Sequence, residues 1–231
     1  MIQVLKNGRR PRVLVVVAHP DDESFGVGAI IAWLRRNFVP VNALIFTQGE
    51  TSTLGSACNP DSLRVLRCKE FECASRVLDL TQYVLLSCPD GHLLEVPLTE
   101  RVQMLEEASC ADAVLAFDET GITGHHDHIA ASEAAKAFAI NHGLPLYFWT
   151  LPEGVASVLN EHFGTSFRGR PENQITLTLN VAQERERQWR AICCHESQAD
   201  ALGVVRARLE LLCGREYLVE SYQGNLGGAR G

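Results

Sequence analysis

Apolar residues along this chain come in short unbroken runs and in longer spaced stripes, and the two alternate. Val13 to Val17 is an unbroken run, rich in β-branched side chains. Such a run predicts a strand buried on both faces of a parallel sheet. Val39 to Phe46, Tyr83 to Leu86, Ala113 to Phe117 and Leu144 to Trp149 read as further strands. Between them the apolar positions fall at helical spacing. A helix from Phe25 to about Asn37 carries Ile30, Ile31, Trp33 and Leu34, and Ser62 to Leu80 places Leu63, Leu66, Phe71, Ala74, Val77 and Leu78 on one stripe. Pro97 to Ala108 and Asp127 to His142 are the next helices. Strand and helix in alternation predict βαβ units with right-handed crossovers and helices on both faces of the sheet.

The ends of the chain read less regularly. Residues 1–12 form an irregular lead-in, and the Gly-rich stretch 224–231 reads as a frayed tail. Residues 151–174, with Gly154, Gly164, Gly169 and two prolines, predict a mobile loop holding a short helix. Ile175 to Leu179 reads as an edge strand, Val181 to Cys194 as a charged amphipathic helix, and Gly203 to Cys213 as a last helix. No Pro/Gly/Ser-rich linker divides the 231 residues, so one domain over 1–231 is expected.

The polar residues at the strand tips change the picture. Pro20 stops the first strand, since it has no N–H for the ladder, and His19, Asp21, Asp22 and Glu23 crowd that stop. A helix cap at Asp22 or Ser24 would account for one or two of them, but not for an imidazole and several carboxylates together. The carboxyl ends of strands are where open α/β sheets bind ligands. Gly26 and Gly28 invite a dinucleotide reading, but the third small position falls on Ile31 and Asp21-Asp22-Glu23 would repel a pyrophosphate. Close helix packing explains these glycines better. A second cluster, Gly121 to His128, reads GITGHHDH and opens a helix, so His125 and His128 project from one side. Arg67 and Glu70 lie on or beside an apolar helix stripe. An Arg whose stem snorkels to water and an Arg facing the site explain Arg67 equally well.

Composition narrows the classes. Hydrophobic residues are 46% of the chain, enough for a core, and the net charge of −7 without a basic block argues against nucleic acid. No apolar run approaches membrane-spanning length, and the early apolar run is too short for a signal peptide. A soluble cytoplasmic protein is the expectation. The eight cysteines form no C-x-x-C pair and are read as free thiols in a reducing compartment.

His19, Asp22 and His128 make a set of two imidazoles and one carboxylate. Three protein ligands with an open fourth position is the pattern of catalytic zinc, which would acidify a bound water and polarise a carbonyl. Asp21 could take the proton from that water. His125 could stabilise the oxyanion and protonate a leaving amine, and Asp127 could orient an imidazole.

AHPDDE at 18–23 and GHHDH at 124–128 resemble the two signature motifs of the PIG-L/LmbE-like family of zinc-dependent N-acetylglucosaminyl de-N-acetylases. FTQGE at 46–50, the R-x-x-E of Arg67 and Glu70, PDGHL at 89–93 and HESQ at 195–198 resemble further landmarks, so the resemblance covers nearly the whole chain. It implies a Rossmann-like three-layer α/β/α sandwich with a mostly parallel sheet. It implies Zn2+, or another divalent metal, on His19, Asp22 and His128, with Asp21 as base and His125 as oxyanion and leaving-group partner. Arg67 and Asp90 would contact sugar hydroxyls. His126 departs from the pattern, where relatives commonly carry proline.

The expected function is metal-dependent removal of the N-acetyl group from a small N-acetylglucosamine-containing conjugate. Two alternatives stay open: an amidase releasing a larger acyl group from an amino-sugar or thiol conjugate, and a non-catalytic sugar- or nucleotide-binding domain. A dead site need not keep base and ligands, which speaks against the last. The acceptor and the oligomeric state, a homo-oligomer included, stay open.

Overall fold

A computed structural model describes residues 11–53, 59–108 and 110–224. The strands are β1 (Val13–Val17), β2 (Val41–Thr47), β3 (Gln82–Cys88), β4 (Ala113–Phe117), β5 (Leu146–Thr150), β6 (Leu177–Asn180) and β7 (Arg215–Tyr222). They form one seven-stranded sheet in the order β3-β2-β1-β4-β5-β7-β6. β1, β2, β3, β4 and β5 run parallel, while β7 is antiparallel to both β5 and β6.

The helices of eight or more residues are α1 (Gly28–Arg36), α2 (Pro60–Leu78), α3 (Leu98–Ala108), α4 (His126–His142), α5 (Glu153–Phe163), α6 (Arg185–Ile192) and α7 (Leu202–Leu211). Single turns occupy Asp22–Phe25 and Gly121–Gly124. The period-2 geometry of β1 sends Val13, Val15 and Val17 to one face and Leu14 and Val16 to the other. The first face packs on Ile30, Ile31 and Leu34 of α1 and Phe71, Ala74 and Leu78 of α2. The second packs on Val102 and Leu105 of α3 and on Ala130, Ala134 and Phe138 of α4. The molecule is therefore a three-layer α/β/α sandwich, as expected. β1 is buried along its whole length, which explains why its sequence shows no polar alternation.

Several expectations need correction. The strand β7 carries no clear sequence signature, because its burial is irregular and Glu216, fully buried, sits within it. Trp149 Nε1 donates to Glu216 Oε2 at 2.7 Å and Arg185 pairs with its other oxygen, so the charge is met inside the sheet. Residues 151–174 hold an eleven-residue helix, α5. They are tied to the end of β4 by a two-pronged pair of Arg170 with Asp118 at 2.7 and 3.2 Å. Cys73 and Cys194 are joined as a disulfide between α2 and the segment after α6, with Cα atoms 5.8 Å apart. The expectation of eight free thiols therefore fails for this pair, whose partners lie 121 residues apart in sequence. Cys68, Cys88, Cys110, Cys193 and Cys213 are free, and Cys58 lies outside the described residues, as do 1–10 and 225–231. Among the described residues no helix is long and apolar enough to cross a membrane.

Candidate metal and catalytic site

The strand order reverses at β1, which has β2 on one side and β4 on the other. Side chains at the carboxyl ends of these strands converge outside the sheet. His19 follows β1, and Asp22 opens the next turn. The Asp22 carboxylate accepts from the backbone N–H groups of Ala18 and His19 at 3.2 and 2.9 Å, which fixes it beneath the imidazole. His128 comes from the first turn of α4, after β4.

The three donor groups test the metal expectation directly. His19 Nδ1 lies 3.2 Å from His128 Nε2 and 3.5 Å from Asp22 Oδ2, and His128 Nε2 lies 3.1 Å from Asp22 Oδ1. Ligands about 2.0–2.1 Å from a tetrahedral ion stand about 3.3 Å apart, so these separations suit one small divalent cation. The outer nitrogens are occupied as a metal site requires. His128 Nδ1 is 3.0 Å from the Gly121 carbonyl, and His19 Nε2 is 3.2 Å from Asp127 Oδ2 and 3.1 Å from Asp90 Oδ1. With its proton on the nitrogen facing these acceptors, each ring offers a lone pair inward.

Asp127 itself is fully buried and accepts from the N–H groups of Gly91 and Leu93 at 2.7 and 3.0 Å. Asp90 accepts from the N–H and hydroxyl of Thr51, each at 2.8 Å. Burial opposes its charge, but the hydrogen bonds from His19 and Thr51 outweigh burial and hold the carboxyl well below its ordinary range. The structure thus gives both carboxylates a partner in His19.

Asp21 stands beside this group with φ of 116°, a conformation that residues with a Cβ avoid. Two contacts hold it there. Its N–H donates to Glu23 Oε2 at 2.9 Å, and Arg67 Nη2 donates to its Oδ2 at 2.8 Å. Burial pushes the Asp21 carboxyl up to about 6 against the pull of the Arg67 guanidinium, and the Asp22 charge pushes it the same way. Arg67 is only 3% exposed and also donates to the carbonyls of Gly49 and Pro20. A Cβ on Gly49 would lie 2.1 Å from that guanidinium, so the glycine of the FTQGE motif makes room for it. Neither a snorkelling Arg nor one free to face a sugar describes this side chain, although it does line the cavity.

Sequence reasoning missed how Asp21 is braced. Glu23 Oε1 meets His195 Nε2 at 2.9 Å and the Ser24 hydroxyl at 2.6 Å, all three side chains being buried. Glu70 accepts from the Ser197 N–H and hydroxyl at 2.7 and 2.6 Å. The HESQ segment is therefore a brace for the first motif. The pairing of Glu70 with Arg67 on one helix stripe was the available signal.

His125 caps α4 and its Nδ1 accepts from the Asp127 N–H at 3.2 Å, which leaves Nε2 to carry the proton. Burial lowers its pKa, and the neighbouring His128 and His19 lower it further, so a neutral ring lines the cavity. His126 is exposed and belongs to neither donor cluster found among the described residues. Gly26 explains itself here: a Cβ would lie 2.5 Å from the Phe117 ring.

The donor groups open into a cavity of about 530 Å³. Thr51, Ser52 and Asp90, following β2 and β3, line one side. Phe117 at the end of β4, Ile122 just beyond it, Trp149 in β5 and Phe167 after α5 line the other.

Comparison with known proteins places this geometry. Residues 14–139 match the family model PIG-L, described as GlcNAc-PI de-N-acetylase. A probable N-acetyl-alpha-D-glucosaminyl L-malate deacetylase 2 of Bacillus anthracis is 36% identical over 146 residues, 58% of this chain and 62% of its own length. The match thus spans less than two thirds of that relative. Among solved structures, the N,N'-diacetylchitobiose deacetylase of Pyrococcus horikoshii superposes with a TM-score of 0.65 at 22% identity, over 91% of this chain and 82% of its own. The 4-carboxy-2-hydroxymuconate hydratase of Pseudomonas putida KT2440 does so at 0.67 and 14%, over 95% and 99%. These two likenesses concern the fold, which hosts more than one reaction, so the chemistry has to be argued from the site.

Proposed function

The chain belongs to the PIG-L family, and from that premise we propose that it is a zinc-dependent hydrolase removing the N-acetyl group from a small N-acetylglucosamine-containing conjugate. The observation that carries the reading is the inward-facing set of His19, Asp22 and His128, with donor atoms 3.1–3.5 Å apart and both outer imidazole nitrogens engaged. A divalent metal held there would supply a Lewis acid for the amide carbonyl and lower the pKa of water.

The chain's own groups do the rest. Asp21 takes a proton from the attacking water, with Glu23 and Arg67 keeping its backbone and carboxylate in place. His125, protonated at Nε2, donates to the oxygen that becomes negative as water adds to the carbonyl carbon. The C–N bond then breaks, and the nitrogen receives a proton and leaves as a free amine. Asp127 and Asp90 keep the His19 ring turned. The amino sugar is supported by the relatives' activities and by the hydroxyl and carboxylate groups on one cavity wall, which suit sugar hydroxyls.

Incubating metal-loaded protein with a panel of N-acetylglucosaminides tests the reading. Free amine should appear and should vanish with a chelator. No amine from any member, with metal bound, would refute it.

Arg67 distinguishes two roles. Arg67→Lys keeps the charge but loses the fork that spans Asp21 and two carbonyls. If Arg67 positions the base, kcat should fall by about tenfold or more with little change in KM. A rise in KM at constant kcat would return Arg67 to a sugar contact.

A further inference from the structure

The apolar side of the cavity ends on a charge. Arg208, from α7, lines the chamber beyond Phe117, Ile122, Trp149 and Val205 and is only 4% exposed. Its guanidinium lies over the Trp149 ring, 5.0 Å from the centroid. One Nη donates to the Phe25 carbonyl, while Nε is buried with no partner. No carboxylate of the described residues lies within ion-pair distance. Glu216 is near enough to favour the charge, but Trp149 and Arg185 hold it. Burial lowers the Arg208 pKa to about 10, so the group is still a cation at neutral pH. An unpaired cation in an apolar enclosure is costly unless an anion meets it.

We propose that this chamber is an acyl subsite, and that the protein also hydrolyses amino-sugar amides whose acyl chain ends in a carboxylate, with Arg208 binding that carboxylate. This rests on the amide-hydrolase reading above. The sheet order decides which part of the substrate enters. The donor set at β1 has the polar wall on the β2–β3 side and the apolar wall with Arg208 on the β4–β5 side. The nitrogen and the carbonyl carbon of an amide carry their substituents in opposite directions. A sugar on the polar wall therefore sends the acyl chain toward Arg208. Acetyl is too short to reach far into a cavity of about 530 Å³. One guanidinium neutralises one carboxylate, and its planar fork suits that anion. In the reaction the C–N bond breaks, water oxygen joins the acyl carbon, and the nitrogen takes a proton, giving a dicarboxylate and a free amine.

The test uses methyl glucosaminide acylated on nitrogen with acetyl, butanoyl or succinyl, and metal-loaded protein. Succinyl and butanoyl share a four-carbon chain, so their kcat/KM ratio isolates the carboxylate. The ratio should favour succinyl by about tenfold or more, which is what a hydrogen bond to a charged group contributes. Arg208→Gln should abolish the preference and Arg208→Lys should keep part of it. Because the ratio is internal to each preparation, partial misfolding cannot create it. If neither variant folds, wild-type inhibition by glutarate against pentanoate decides, with tighter binding of the diacid expected. Equal rates for the two amides, or a preference that survives Arg208→Gln, would overturn the proposal. A charge preference seen only when the carboxylate is on the anomeric substituent would overturn it too. If no amide is cleaved at all, the hydrolase reading fails. Calorimetric binding of the succinyl against the butanoyl glucosaminide then still tests the chamber, and equal affinities would sink it.

Discussion

Asp21→Asn is expected to leave the protein folded and metal-loaded while lowering kcat by about 10²–10⁴, the span that a positioned general base supplies. Asn has nearly the same shape, and its carbonyl oxygen can still accept from Arg67 Nη2. Its N–H can still donate to Glu23, so the unusual backbone at φ 116° keeps its contact. What is lost is the capacity to take a proton, together with the negative charge opposite Arg67. Circular dichroism and metal content should match the wild type, and rate alone should change. Near wild-type turnover would assign the base elsewhere, with Glu23 the first candidate. His195 already meets the Glu23 carboxylate at 2.9 Å, which argues against that outcome.

His128→Ala is expected to lose the metal and, with it, nearly all activity. Removing groups that merely orient a ligand costs about 10–100-fold in affinity, so removing a ligand should cost at least about 100-fold. His128 is the cleaner choice of the two imidazoles. His19→Ala would leave Asp90 and Asp127, buried and 3.1 and 3.2 Å from the lost ring nitrogen, with no imidazole between them. That variant risks unfolding through uncompensated carboxylates. Elemental analysis after chelator-free purification should find about one zinc per wild-type chain and almost none in His128→Ala. Full retention of metal in the variant would remove His128 from the donor set.

Four of the five parallel strands, β1, β2, β4 and β5, could be read in the sequence because each is buried on both faces, while β3, at the sheet edge, showed only a short apolar run. β1 and β4, at the heart of the sheet, have no polar residue to blur the pattern. The helices α2 and α4 were equally plain, since each buries a stripe against those strands. The two signature motifs stood at strand ends, where backbone geometry leaves side chains nothing to pack against but one another. For this reason His19, Asp21, Asp22, His125, Asp127 and His128 were named from sequence as a group.

What only the tertiary structure decided are the pairings between distant segments. A buried polar side chain needs a partner, but sequence does not say which one. Glu23 finds His195, Glu70 finds Ser197, Asp118 finds Arg170, and Cys73 finds Cys194, each more than fifty residues away. The strand β7 was hidden because a buried Glu216 breaks its apolar alternation, and its partners, the Trp149 N–H and the Arg185 guanidinium, come from other elements. Arg208 was read as one residue of a terminal helix. Its burial against the Trp149 ring, lining the cavity, follows from where α7 packs, and local periodicity carries no information about that.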